Sequence, residues 1–154
     1  MDPSIRLRVL EEFERRLSAI HGSGFETNAG HAVYLGDAPQ LGPDDPEQAI
    51  AILPGVEDPR WIAKQLLVLW PIEIHALAKA DLGGGGKSWK AVERVIADIK
   101  RAVELEDRTF GGLLRRDSIE RGAVRSRERE PGNTTVGAIV PYIVRILEVW
   151  GDPT

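Results

Sequence analysis

The sequence predicts an α+β fold in a single domain spanning residues 1–154: an antiparallel or mixed β-sheet, two amphipathic helices packed on one side of it, and a long C-terminal β-hairpin. Three observations point there. Two segments, Ser4–Ile20 and Ser88–Leu105, repeat apolar residues at three- and four-residue steps, the period of a helix with one buried face. The segment from Gln65 to Ala80 alternates apolar residues with period two, as a strand with one buried face must. The segment from Thr134 to Trp150 does the same behind a Pro-Gly-Asn turn.

Each element has a local reason. In the first helix Ile5, Val9, Leu10, Phe13, Leu17 and Ile20 form the stripe, and Arg6, Arg8, Glu11, Glu12, Glu14, Arg15 and Arg16 form the charged face. Ser4 stands at the N-cap position, and Gly22 and Gly24 follow where the helix should stop. Residues 24–46 read as a long loop of turn formers around one short strand, Ala32–Leu35. Gln48–Leu53 is a short apolar strand ended by Pro54 and Gly55.

In the long strand, Leu66, Val68, Trp70, Ile72, Ile74, Ala76 and Ala78 share one face, while Gln65, Glu73, His75 and Lys79 take the other. Pro71 has no N–H to donate, which predicts a bulge or a sheet edge at that position. In the second helix Ser88 can act as cap, and Trp89, Val92, Val95, Ile96, Ile99 and Val103 form the stripe. Residues 106–112 are a turn. The hairpin then has a polar outgoing arm, Ile119–Arg129, a tip at Glu130–Asn133, and an apolar returning arm that carries Val136, Ala138, Val140, Tyr142, Val144 and Ile146 on one face.

Composition narrows the function. The chain has 154 residues, no cysteine and a net charge of −4. Its length buries a sizeable core without staples. Without cysteine there is no disulfide framework, thiol nucleophile or thiolate metal site, which suits a reducing compartment such as the cytoplasm. The acidic balance predicts no long-range attraction to nucleic acid or to an anionic membrane. The charged N-terminal segment is expected to be neither a signal peptide nor a membrane anchor.

The run Gly83–Gly86 followed by Lys87 and Ser88 invites comparison with a phosphate-binding loop, Gly-x-x-x-x-Gly-Lys-Ser/Thr. The first glycine of that pattern falls on Asp81, whose side chain and negative charge oppose an anion. The glycines have a simpler use, turning the chain sharply from sheet to helix through positive φ. The histidines His21, His31 and His75 lack ligand-like spacing, so no metal is expected. The carboxylates Asp44, Asp45 and Glu47, and Glu104, Glu106 and Asp107, lie in wet loops rather than in contrasting environments. No Gly-x-Ser-x-Gly elbow exists. The expectation is a protein that is not an enzyme and uses no cofactor. The densest charge feature is Arg115, Arg116, Arg121, Arg125, Arg127 and Arg129, interleaved with acids. It reads either as a solvated face or as a subunit interface of Arg–carboxylate pairs.

Several phrases in succession carry a family resemblance: Gly24-Phe-Glu-Thr-Asn-Ala-Gly30 with Val33-Tyr-Leu-Gly36, Pro71-Ile-Glu-Ile74 running to Lys79-Ala-Asp81, Asp98-Ile-Lys-Arg-Ala-Val103, Asp107-Arg-Thr-Phe-Gly-Gly-Leu113 and Trp150-Gly-Asp-Pro-Thr154. Together they cover nearly the whole chain, and the sequence resembles the tail terminator, or tail completion, proteins of long-tailed bacteriophages and prophages. The resemblance implies a structural assembly protein that forms a hexameric ring on the tail tube, stops its polymerisation and offers the attachment surface for the head connector. It implies assembly in the bacterial cytoplasm, a final place at the head–tail junction of the virion, and contacts with the tube protein and the head-completion protein. DNA would pass the ring lumen without specific binding, and no membrane would be involved. The alternatives are another neck or head-completion component and, from a different class, a small nucleotide-binding protein using Gly86, Lys87 and Ser88. Ring closure requires two different patches per subunit. The arginine arm (Arg121, Arg125, Arg127, Arg129) is expected to supply one, and the acidic loop around Asp37, Asp44 and Asp45 the other or part of the tube-facing surface.

Overall fold

The computed structural model describes residues 1–81, 86–127 and 133–154. It is an α+β fold in which a mixed sheet of seven strands carries two helices. In chain order these are α1 (Ile5–Ser18), a 3₁₀ turn at Ala29–His31, β1 (Val33–Leu35), β2 (Gln48–Pro54), β3 (Asp58–Ile62), β4 (Gln65–Lys79), α2 (Lys87–Glu104), β5 (Ile119–Arg121), β6 (Arg125–Ser126) and β7 (Thr135–Glu148). Across the sheet the order is β1-β2-β4-β7-β5, with β3 beside β4 and β6 beside β7. Among the described residues only β1 and β2 run parallel.

The alternation read from the sequence sets the core. Val68, Trp70, Ile72, Ile74, Ala76 and Ala78 of β4, and Val136, Ala138, Val140, Tyr142, Val144 and Ile146 of β7, are all buried against the helices. Val9, Phe13 and Leu17 of α1 and Val92, Val95, Ile96, Ile99 and Val103 of α2 meet them. Fully burying each of these larger side chains is worth about 1.5–3 kcal/mol. A second, smaller cluster, Ala32, Leu41, Ala49, Ala51 and Leu77, sits on the opposite face, where the 36–47 loop folds over one end of the sheet. Leu41 N–H donates to Thr135 Oγ1 and pins that loop.

β4 and β7 pair without interruption from Leu66↔Glu148 to Lys79↔Thr135. Pro71 therefore lies in a central strand that is neither bulged nor at an edge, and the expectation fails for a definite reason. Its carbonyl accepts from Gly55 N–H at 2.8 Å, so its missing N–H also points toward the β2–β3 side. There the pairing jumps from Pro54↔Ile72 to Asp58↔Leu69. The neighbouring chain makes one step more than β4 does, so the bulge is in the partner and no ladder bond is lost at the proline.

Pro141 of β7 repeats the arrangement. It accepts from Gly122 N–H at 2.9 Å, where pairing jumps from Arg121↔Tyr142 to Arg125↔Ile139. The two breaks are related about the Ile72↔Tyr142 pair. Both glycines lie close against the prolines: a Cβ on Gly55 would come within 2.9 Å of Pro71 Cγ, closer than the backbone permits without a shift, and one on Gly122 within a tight 3.2 Å of Pro141 Cγ.

Other expectations are corrected. β3 was not foreseen. The outgoing arm Ile119–Arg129 is two short strands, β5 and β6, although β6 and β7 still form the expected hairpin-like pair; the tip lies outside the described residues except Asn133. The cap of α2 is Gly86 in the left-handed region at φ 73, as the junction required, rather than Ser88, whose Oγ is buried without a partner. Residues 83–85 of the glycine run lie outside the described residues. Trp89 is 43% exposed and stands off the stripe.

Candidate functional site

Two buried charges hold the frame on which the surfaces stand. Arg16, placed by its sequence position on the charged face of α1, is 1% exposed. Its guanidinium stacks over Phe110 at 4.1 Å, donates to the Val103 carbonyl at 3.1 Å and pairs with Glu12 at 2.9 Å. It thus satisfies a carbonyl that the end of α2 leaves free. Asp98 of α2 is fully buried and accepts from the backbone N–H groups of Glu26 and Thr27, from Thr27 Oγ1 and from Arg101. The loop Gly24–Gly30 is fastened to α2 by that carboxylate and by the Arg101–Glu26 pair at 3.1 Å. Gly30 then lies against the end of α1, where a Cβ would come within 2.6 Å of the Leu17 carbonyl oxygen.

The turn after α2 is organised the same way. Asp107 accepts from Thr109 N–H, Thr109 Oγ1 and Gly111 N–H, and the Thr109 bonds chiefly hold its carboxyl below the usual range. Phe110 takes a positive φ of 50 and meets Phe13 edge-to-face with ring centres 5.0 Å apart.

The expected arginine patch divides. A four-residue step on the outgoing arm against three on β7 turns Arg125 to the face opposite Arg121. Arg121 faces the helix side and pairs with Glu104 at 2.9 Å, beside the Tyr142 hydroxyl that donates to the same carboxylate. Burial pushes the Tyr142 phenol far above its ordinary value, with the Glu104 charge adding to it. Arg125 faces outward and pairs with Glu73. Arg127 bonds its backbone N–H to the Gly137 carbonyl and lays its stem on Gly137. Arg129 lies outside the described residues.

His75 shares the outer face with Arg125 and Glu73. It is 5% exposed, its Nε2 is 3.3 Å from Glu73 Oε1, and its Nδ1 has no partner. Burial holds its pKa below the ordinary value, against the pull of Glu73 and with the Arg127 and Arg125 charges assisting.

The acidic patch divides too. Asp37 follows Gly36, whose N–H bonds the Ile52 carbonyl at the β1 edge of the sheet. Asp44 and Asp45 lie in the loop that meets Lys79 through the Pro43 carbonyl and Glu47, about 13 Å away along β2 at 3.3 Å per residue. Asp45 is spent internally, accepting from Gly42 N–H at 2.7 Å. Asp37 and Asp44 make no hydrogen bond or ion pair among the described residues.

Two features escaped the sequence reading. One is a cleft of about 560 Å³ along β5, with Val103, Phe110, Ile119 and Tyr142 on its walls and Arg108 and Arg116 among its lining cations. Neither of these two arginines has a carboxylate partner among the described residues. The other is an apolar end of the sheet. There Trp61 of β3 and Trp150 beyond β7 stack with ring centres 5.3 Å apart, yet are 58% and 74% exposed, next to exposed Ile62 and Val149. The tryptophans were visible in the sequence, but their pairing needs β3.

His21 and His31 stack at 5.1 Å, remote in the fold from His75. Among the described residues no three His, Cys, Asp or Glu side chains are grouped to hold a metal ion, and no helix is long and apolar enough to cross a membrane. No family model matches the chain, and no curated protein matches it.

Proposed function

We propose that this protein is a structural component of a phage tail, assembling as a six-membered ring that caps the tail tube at the head–tail junction, stops tube growth and receives the head connector. It acts by binding, without turnover. The observation that carries this reading is the exposed apolar end of the sheet. The two tryptophans stack on each other yet stay open to solvent, and Ile62 and Val149, their neighbours in the chain, are exposed as well; exposed apolar surface of this kind marks a protein–protein contact. Tryptophan is also the residue most often found carrying the energy of such contacts.

The phrases that carry the resemblance support it differently. Asp98 fastens the Gly24–Gly30 loop, Phe110 locks onto Phe13, and Pro71 sits at the break between β2 and β3. They are joints of the frame, so the resemblance concerns how the chain is built.

The test mixes purified protein with polymerising tail-tube subunits and, separately, with filled heads. The expected result is arrest of tube growth and binding to tubes in the absence of heads, both lost in Trp61→Ala/Trp150→Ala. Binding to heads alone would favour a neck component instead, and no effect on either would reject the proposal.

A further inference from the structure

We propose that the cleft along β5 receives the Leu35–Asp37 corner of a second copy of this chain, with the Asp37 carboxylate between Arg108 and Arg116. The inference rests on the ring reading above and assigns its lateral contact.

Charge and position argue for this pairing. In a sheet ordered β1-β2-β4-β7-β5, β1 and β5 are the two lateral edges. A ring built from identical subunits joins one patch to a different patch on its neighbour, and opposite edges of one sheet are placed for that. At the β5 edge the other cations are already matched within the subunit, Arg121 by Glu104 and Arg145 by Glu120. That leaves Arg108 and Arg116 against the single carboxylate of Asp117, so the lining keeps one net positive charge to face an incoming group. A planar guanidinium favours a carboxylate held by two parallel hydrogen bonds.

At the β1 edge Asp37 is a carboxylate without a partner among the described residues, and Leu35 near it is 49% exposed. An apolar side chain near such an anion complements a cleft with apolar walls and a net positive charge. Asp44 fits less well, because it lies at the end of the sheet by Lys79 rather than at its lateral edge. Arg125, Asp45 and Glu73 have internal partners and are not needed for the contact.

The chain has no cysteine, so introduced cysteines report a contact without ambiguity. Asp37→Cys and Arg116→Cys variants are mixed and oxidised, with light scattering of the unmodified protein run alongside. A Glu93→Cys variant, placed on exposed α2 surface, serves as control against Arg116→Cys. The expected result is a disulfide-linked pair between the Asp37 and Arg116 variants, absent from the Glu93 control. Assembly should also weaken with rising salt, be lost in Arg108→Glu/Arg116→Glu, and return when Asp37→Lys copies are mixed in. An assembly that forms but gives no Asp37–Arg116 linkage would overturn this contact while leaving the ring intact. A protein that stays monomeric at every concentration and gives no linkage would overturn the contact and the ring together.

Discussion

Arg16 is the residue whose loss should cost most for its size. Removing the guanidinium in Arg16→Ala leaves the Val103 carbonyl without its side-chain donor, takes one of the donors of Glu12, which keeps Arg15, and uncovers Phe110. A buried acceptor left without its donor costs about 1–3 kcal/mol, and urea unfolding should show a loss of at least that size. Arg16→Lys should restore little, since an ammonium cannot stack flat on Phe110 and reach both acceptors.

His75 makes stability depend on pH with a definite sign. Its folded pKa lies below the ordinary 6.5 because burial disfavours the charged ring. The unfolded chain therefore binds more protons below that value, and stability present above 6.5 falls as pH drops through it. Glu73 adds to the loss further down. Burial works against its charge, but hydrogen bonds from His75 and Arg125 outweigh that and set its pKa below 4.5. Thermal unfolding measured across this window should show the decline, and His75→Gln should flatten its upper part.

At the scale of elements, the helices, β4 and β7 were legible because each is long and repeats its core-facing apolar residues at a regular step, so period alone declares it. β3 was not, because every residue of Asp58–Ile62 is exposed and the strand exists only through its pairing with β4. The turn that closes this pair puts Ala63 at φ 55, a conformation that costs a non-glycine residue about 1–2 kcal/mol. Ala63→Gly should recover part of that, visible as a higher urea midpoint.

The prolines misled for a related reason. Pro71 argues for an edge only if its neighbour is continuous, and nothing local announces that β2 and β3 part opposite it. The glycines at these joints should be intolerant in order of crowding. Gly30→Ala would drive a Cβ into fixed helix backbone and Gly55→Ala into Pro71, whereas Gly122→Ala meets a looser contact. Overpacking of this kind costs about 1–3 kcal/mol, so Gly30→Ala should lower the melting temperature most and Gly122→Ala least.

For the whole molecule, the sequence supplied the sheet, the helices and the candidate charges, but not which charges remain free. Arg121 and Arg125 look equivalent in a list of alternating arginines, yet one extra residue opposite Pro141 sends them to opposite faces, each to its own internal acid. Arg108 and Arg116 lie outside that alternation and come together in one cleft lining only when the turn after α2 brings them to the β5 edge. What results is a sheet with one cationic edge, one edge bearing a free carboxylate, and an apolar end. That is the set of surfaces a ring subunit needs for its neighbours and for an axial partner.

Electron micrographs of tail tubes incubated with the purified protein, averaged end-on and side-on, put the central claim to its most direct test. A six-fold ring should be seated on one end of the tube, with the opening left clear. Bare tube ends, or protein bound along the tube wall, would contradict it.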